Sequence, residues 1–282
     1  MAGEPNLDRY SPAHDNLGTR NDLCVRLART GDEITTAQKL RYQVFYEELQ
    51  AKPEAAAAQS RVDADRFDDF CDHLIVVRQT AGGQFKVEDG EMVGTYRLLR
   101  QSVAEKNDGF YTQSEFDIAP LLAAKSALKF LELGRSCVLK KYRAKPVVEL
   151  LWQGIWNYVR QHGLDVMLGC ASLEGTDLKA HAATLNFLAQ NCAAPAEWNA
   201  RALPERYIEM KSDAEGIADS KVALKVLPPL IKGYLRLGCY IGEGAVIDRQ
   251  FNTTDVLIML PVSNITPRYL SHFGKPDEAI TG

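Results

Sequence analysis

The stretch Phe130–Pro146, FLELGRSCVLKKYRAKP, constrains the fold more than any other part of the chain. Phe130, Leu131, Leu133, Cys137, Val138 and Leu139 make an apolar run with a β-branched member, which suits a buried strand. Glu132 and Arg135 interrupt that run, three residues apart, with Gly134 between them. A regular strand sends residues i and i+3 to opposite faces. A bulge at Gly134 brings both to one face, and glycine is the usual bulge residue. Charges on an inner strand are costly to bury unless paired or functional. The pair is therefore either a structural ion pair or a catalytic carboxylate beside a substrate-holding guanidinium.

Beyond the strand, Lys140, Lys141, Arg143 and Lys145 crowd into a short turn, and Pro146 opens a helix that Gly163 closes. A helix N-terminus behind four cations is an anion site, unless the turn is simply a solvated basic one.

Upstream, Asp22–Arg29 alternates as a strand, and Thr35 or Thr36 caps a helix running to about Leu49. Leu40, Val44 and Phe45 form the apolar stripe of that helix, with Arg41, Phe45 and Glu48 on an adjoining face. Residues 50–62 read as a loop. Asp63–His73, DADRFDDFCDH, packs five acids ahead of a strand, His73–Gln79. Its spacing does not fit a calcium loop, since glycine is missing at the sixth position and no glutamate closes it. No metal is expected, and a cationic amine is the better partner for these acids. A hairpin leads into the strand Glu91–Arg100, which carries Arg97, and 101–125 form a long loop. Later elements are a strand at Leu164–Ala171, a helix over 178–191 and a short strand at RYIEM. A helix at Lys221–Leu237 follows, kinked by Pro228 and Pro229, and then strands near Tyr240–Asp248 and Asp255–Pro261. Residues 1–20 read as a disordered tail and 274–282 as a second tail, with a single α+β domain over 21–273.

Net charge is −4 over 282 residues, which argues against bulk nucleic-acid binding. The six cysteines include no CxxC pair, against both a zinc site and a disulfide framework. The N-terminus has no signal-peptide core, and no run reaches the ~18 apolar residues of a membrane span. A cytoplasmic protein follows, with attachment to the inner face of the membrane left open.

LRYQVFYEE, DRFDDFCDHLIVV, GTYRLL and LELGRSCVLKKYR, in that order, resemble the L-ornithine Nα-acyltransferases, sometimes labelled hemolysin-like. That family belongs to the GNAT superfamily and is related to the acyl-homoserine-lactone synthases. The resemblance covers roughly residues 22–270. It implies a GNAT-like fold, a mixed and mostly antiparallel sheet flanked by helices. It implies transfer of a 3-hydroxyacyl or similar fatty acyl chain from acyl-carrier protein to the α-amine of ornithine, giving lyso-ornithine lipid. The functional positions of the lactone synthases fall on Arg41, Phe45, Asp65, Asp68, Arg97, Glu132 and Arg135. Glu132 is then the base and Arg135 its partner or the holder of the substrate carboxylate. Asp65 and Asp68 hold the side-chain ammonium, and Arg41 and Arg97 hold the carboxylate.

One departure from ordinary GNAT enzymes is informative. Where those carry glycines that cradle coenzyme A pyrophosphate, this chain reads Arg143-Ala144-Lys145-Pro146-Val147-Val148. Pro146 has no N–H to offer, and Val148 has a branched Cβ where close approach is needed. Lys140, Lys141, Arg143 and Lys145 suit a single phosphodiester and an acidic carrier surface instead. The donor expected is acyl-carrier protein, its phosphopantetheine thioester serving as co-substrate with no further cofactor.

Rival readings are another acceptor such as glutamine, lactone synthesis, an acyl-enzyme on Cys137 with His73 as base, and a non-enzymatic membrane-binding protein. The last would lay the helix 221–237 on a bilayer through Lys221, Lys225, Lys232 and Arg236.

Overall fold

The computed structural model describes residues 16–79, 83–88, 90–143, 145–211 and 225–266. They form two compact units, one from 16–103 with 133–163 and the other from 104–132 with 164–266. The strand Phe130–Val138 is shared, giving its first three residues to the second unit and the rest to the first.

In the first unit, β1 (Asn16–Arg20), β2 (Leu23–Leu27), β3 (Asp72–Arg78) and β5 (Gly90–Arg100) are neighbours in that order, with the shared strand beyond β5. The short β4 (Lys86–Val87) closes the expected hairpin onto β5. The strand β1 corrects the expected tail at Asn16–Arg20; the rest of it, 1–15, and the expected tail at 274–282 lie outside the described residues. The strand turns back onto β2 through Asn21, whose φ of +56° is one that asparagine tolerates better than most residues.

Helix α1 (Gly31–Tyr42) starts earlier than Thr35, because the Thr30 hydroxyl accepts from the Glu33 N–H and caps it. Thr35 and Thr36 lie inside the helix and return their hydroxyls to the Gly31 and Asp32 carbonyls. The chain then widens into a π-helical turn, Gln43–Glu48, that carries Phe45. Helix α2 (Lys145–His162) packs across β1, β2, β3 and β5. Leu150, Leu151, Ile155, Trp156, Tyr158 and Val159 are its buried stripe. Gly154 is required there, since a Cβ would meet Val25 Cγ2 at 2.6 Å.

In the second unit, the antiparallel hairpin of β10 (Tyr240–Asp248) and β11 (Thr253–Pro261) continues onto β8 (Val166–Glu174). The opening residues of the shared strand, β7 (Phe130–Val138), pair in parallel with β8 over Phe130–Glu132. On the far side, β9 (Arg201–Ala202) bridges β10 to β6 (Phe116–Asp117). The sequence RYIEM forms a single bridge, Ile208 to Ala245, rather than a strand.

Helix α3 (Leu178–Asn191) has the expected bounds and is capped by Asp177. Helix α4 (Pro229–Leu237) is not kinked by its prolines: Pro228 is its N-cap and Pro229 its first residue, where a missing N–H costs nothing. Its apolar residues Ile231, Tyr234 and Leu237 are buried, so this face is not spare for a bilayer. Residues 221–224 of the expected longer helix, Lys221 among them, lie outside the described residues. No helix among the described residues is long and apolar enough to cross a membrane.

Candidate active site

The acid run ahead of β3 does not stand in solvent. Arg41, on α1 and 1% exposed, reaches back into it. Its Nε donates to Asp63 Oδ2 at 2.8 Å, and its two terminal nitrogens donate to Asp68 Oδ1 and Oδ2 at 2.8 Å each. One of them also meets the Asp63 carbonyl. Arg97, on β5, donates to Asp65 Oδ1 at 2.6 Å and to Asp68 Oδ1 at 3.2 Å. Arg135, on the shared strand, donates to Asp65 Oδ2 at 2.9 Å and lies 3.3 Å from Asp63 Oδ2. Gln38 and Tyr46 add donors to Asp68 and Asp63. Three guanidinium groups therefore meet three carboxylates, and their charges cancel.

Arg41, Arg97 and Asp68, expected to touch substrate, are buried and engaged with one another. The edge that reaches solvent is Asp65, with a side chain 25% exposed, and Arg135 at 13%. Asp63 was missed among the sequence candidates, although it lies in the flagged run.

Burial alone would raise the Asp68 carboxyl; the charge and hydrogen bonds of Arg41, with Arg97 behind, outweigh it and hold the group far below the carboxylate range. A depressed folded value stabilises the native state above the unfolded value, about 3.9, and that stability drains as pH falls below it. Asp68→Asn is therefore expected to be much less stable than wild type at pH 7, with the two converging as pH falls from about 4 toward 2. Urea unfolding followed by tryptophan emission checks this; a gap independent of pH would contradict it.

Arg135 has φ +51°, so the irregularity of the strand sits there and not at Gly134. A Cβ on Gly134 would make only ordinary contact, 3.9 Å from Arg97 Nε. A left-handed non-glycine residue costs roughly 1–2 kcal/mol, and the hydrogen bond of Arg135 to Asp65 with its ion pair to Asp63 offsets it. Phe45 packs, partly buried, against a core cluster that includes Leu40 and Cys137.

Glu132 is buried, and its carboxylate accepts from the Tyr111 N–H at 2.9 Å and the Thr112 N–H at 2.7 Å. The long loop thus turns its Tyr111–Ser114 segment, a 3₁₀ turn, onto the carboxylate. These two charge-assisted bonds fix the direction of both oxygens. Sequence reasoning did not find these partners, since backbone amides leave no side-chain signature.

Cys137 is a poor nucleophile. Burial pushes its thiol far up, and its Sγ lies against the Leu40 carbonyl in the core cluster. Among the described residues no hydrogen bond links it to His73, whose Nε2 is bonded to the Asp68 carbonyl. In the basic turn, Lys140, Lys141 and Arg143 are exposed. Lys141 Nζ sits 5.1 Å from the Tyr142 ring centre, and Arg143 is partly neutralised by Glu48 at 2.5 Å. The Lys145 side chain is outside the described set.

The model of the acetyltransferase (GNAT) domain family matches residues 40–153. A protein of Agrobacterium fabrum named L-ornithine N(alpha)-acyltransferase is 50% identical over 97% of this chain and 94% of its own. Relatives of the same name from Brucella abortus, 50% identical, and Rhizobium meliloti, 48% identical, cover 92% and 94% of this chain and 91% and 88% of their own lengths. The chain belongs to the L-ornithine N(alpha)-acyltransferase family. It is an acyltransferase with a GNAT-like fold, a mixed sheet flanked by helices.

In this member of the L-ornithine N(alpha)-acyltransferase family a further group of titratable side chains sits in the second unit. Glu115, Asp248 and Asp255 are buried with carboxylate oxygens within 4.8 Å of one another. Burial first, and then the neighbouring Asp255 charge, push Glu115 up to about 7. Burial pushes Asp255 up to about 6.

Proposed function

We propose that this protein transfers a fatty acyl chain, 3-hydroxylated or plain, from acyl-carrier protein to the α-amine of L-ornithine, forming lyso-ornithine lipid. The observation that carries the reading is identity near 50% along almost the whole length of proteins named for acylating ornithine. In the reaction the amine lone pair attacks the thioester carbonyl carbon. The C–S bond breaks, the amine proton goes to a base, and the leaving thiolate takes a proton.

Glu132 is the base, directly or through one water, its direction set by the Tyr111 and Thr112 amides. Arg135 and Asp65, the least buried members of the charge network, are the groups that contact the zwitterionic amino acid. Arg41, Arg97, Asp68 and Phe45 hold that edge in place.

The donor reading is supported by Pro146 and Val148 at the helix start, with Val148 exposed where coenzyme A would need glycine. Lys140, Lys141, Arg143 and Lys145 then bind the phosphodiester of the arm and the acidic carrier. No cofactor beyond the thioester is needed. The enzyme works in the cytoplasm, against the inner face of the membrane that receives its lipid product.

The test is purified full-length protein with 3-hydroxyacyl-carrier protein or the matching coenzyme A thioester, and each amino acid in turn, read by thiol release and product mass. Ornithine with the carrier donor should dominate. Lys140→Glu with Lys141→Glu should raise KM for the carrier tenfold or more at low salt and leave kcat within about twofold. Preference for coenzyme A thioesters, or for glutamine, would overturn the donor or the acceptor assignment respectively.

A further inference from the structure

The group Glu115, Asp248 and Asp255 takes no part in the chemistry above. It is assembled from distant sequence. Glu115 follows the Tyr111–Ser114 turn, Asp248 ends β10 and Asp255 lies in β11. All three are more than nine-tenths buried. Arg206 is the cation beside them, 3.5 Å from Glu115 Oε1, and it also donates to the Ser114 and Ile247 carbonyls. Fully ionised, as a bound cation would hold them, three carboxylates against one guanidinium leave two negative charges in excess.

Two oxygens of the group, Glu115 Oε2 and Asp255 Oδ1, are buried with no hydrogen-bond partner. Such atoms are rare in native proteins, and an ion is one of the standard reasons for them. By contrast Asp248 Oδ1 is aligned by the Gln250 and Phe251 amides at 2.8 and 2.9 Å. One oxygen from each of the three residues lies within 4.8 Å of the others. A cation with metal–oxygen distances of about 2.3–2.6 Å spans that separation with the side chains as they stand. Cys170 is close by, but burial and the surrounding acids keep its thiol protonated, which leaves oxygen donors only.

We propose that Glu115, Asp248 and Asp255 bind one divalent cation of the hard, oxygen-preferring class, calcium or magnesium. The excess of negative charge suits a divalent ion, and the two unpartnered oxygens leave it acceptors to bind. The ion ties the β10–β11 hairpin to the residue that follows the Tyr111–Ser114 turn, and so steadies the amides that hold Glu132. The inference rests on this cluster alone and not on the choice of acyl donor or acceptor.

The experiment is titration of the EDTA-treated, full-length protein with Mn²⁺ alone, followed by loss of the free-ion paramagnetic resonance signal. One Mn²⁺ per chain is expected, displaced by Ca²⁺ more readily than by Mg²⁺, together with a rise in melting temperature. Glu115→Gln and Asp255→Asn should each weaken binding at least tenfold and abolish that rise. Both keep the side-chain shape and remove a buried like charge, so both should fold without metal at least as well as wild type. The wild-type titration decides the matter even if a variant does not fold. No binding up to about 1 mM, the weak end for carboxylate sites, would overturn the proposal. So would binding unchanged in both variants. A protonated-carboxyl infrared band at pH 7 that survives saturating Mn²⁺ would also overturn it, in favour of a shared proton.

Discussion

Arg41→Met is expected to lower the unfolding free energy by about 3–5 kcal/mol, the range for removing one partner of a buried pair. The reason is arithmetic as much as geometry. Arg41 supplies both terminal nitrogens to Asp68 and its Nε to Asp63, so its loss removes the closest cation from two buried carboxylates at once. Arg97 and Arg135 are already committed to Asp65, Asp68 and Asp63 and have little to spare. Arg41→Lys should recover only a minor part, since a single ammonium cannot reproduce a planar fork. The comparison that isolates burial is Arg20, whose pair with Glu149 is largely exposed; Arg20→Met should cost less than about 1 kcal/mol. Guanidinium unfolding of the three variants measures all of this. Equal losses at Arg41 and Arg20 would show that the network carries no special weight.

Glu132→Gln is expected to lower kcat by about 10²–10⁴, the usual contribution of a positioned base. That corresponds to roughly 3–5 kcal/mol of barrier. The substitution also has a structural cost that must be separated. A carboxylate accepts from both Tyr111 and Thr112, whereas an amide has one acceptor oxygen, so one backbone N–H loses its partner, at about 1–3 kcal/mol of stability. The rate is therefore taken per folded enzyme, with acceptor and acyl-carrier protein saturating. The acid limb of the kcat/KM profile should vanish in the variant along with the rate. A variant that is destabilised yet retains full kcat would assign Glu132 to holding the turn and nothing more.

Much of the fold was legible because its elements carry local punctuation. Pro146 and Gly163 bracket α2, Asp177 caps α3, and the apolar runs of β10 and β11 are bounded by turn residues. What escaped was non-local or backbone-borne. The strand β1 has one buried apolar residue, Leu17, and takes its order from pairing with β2. The bulge was assigned to the residue with the greatest freedom, Gly134, while the chain bends at Arg135, where side-chain bonds outweigh the cost. The acid run was recognised as a site for cations, but the cations proved to be arginines of the chain itself, one of them from 22 residues upstream. Asp255 offered a usable signal, an acid inside an otherwise apolar strand, but nothing in the sequence pairs it with Glu115.

The mutual neutrality of Arg41, Arg97, Arg135 and Asp63, Asp65, Asp68 also limits how the chain can drift. A lone charge change at any of these positions leaves its opposite number stranded, so viable variants must arrive as compensating pairs. Libraries built to shift acceptor preference should therefore randomise these six codons jointly, because single-site scans would return mostly destabilised clones.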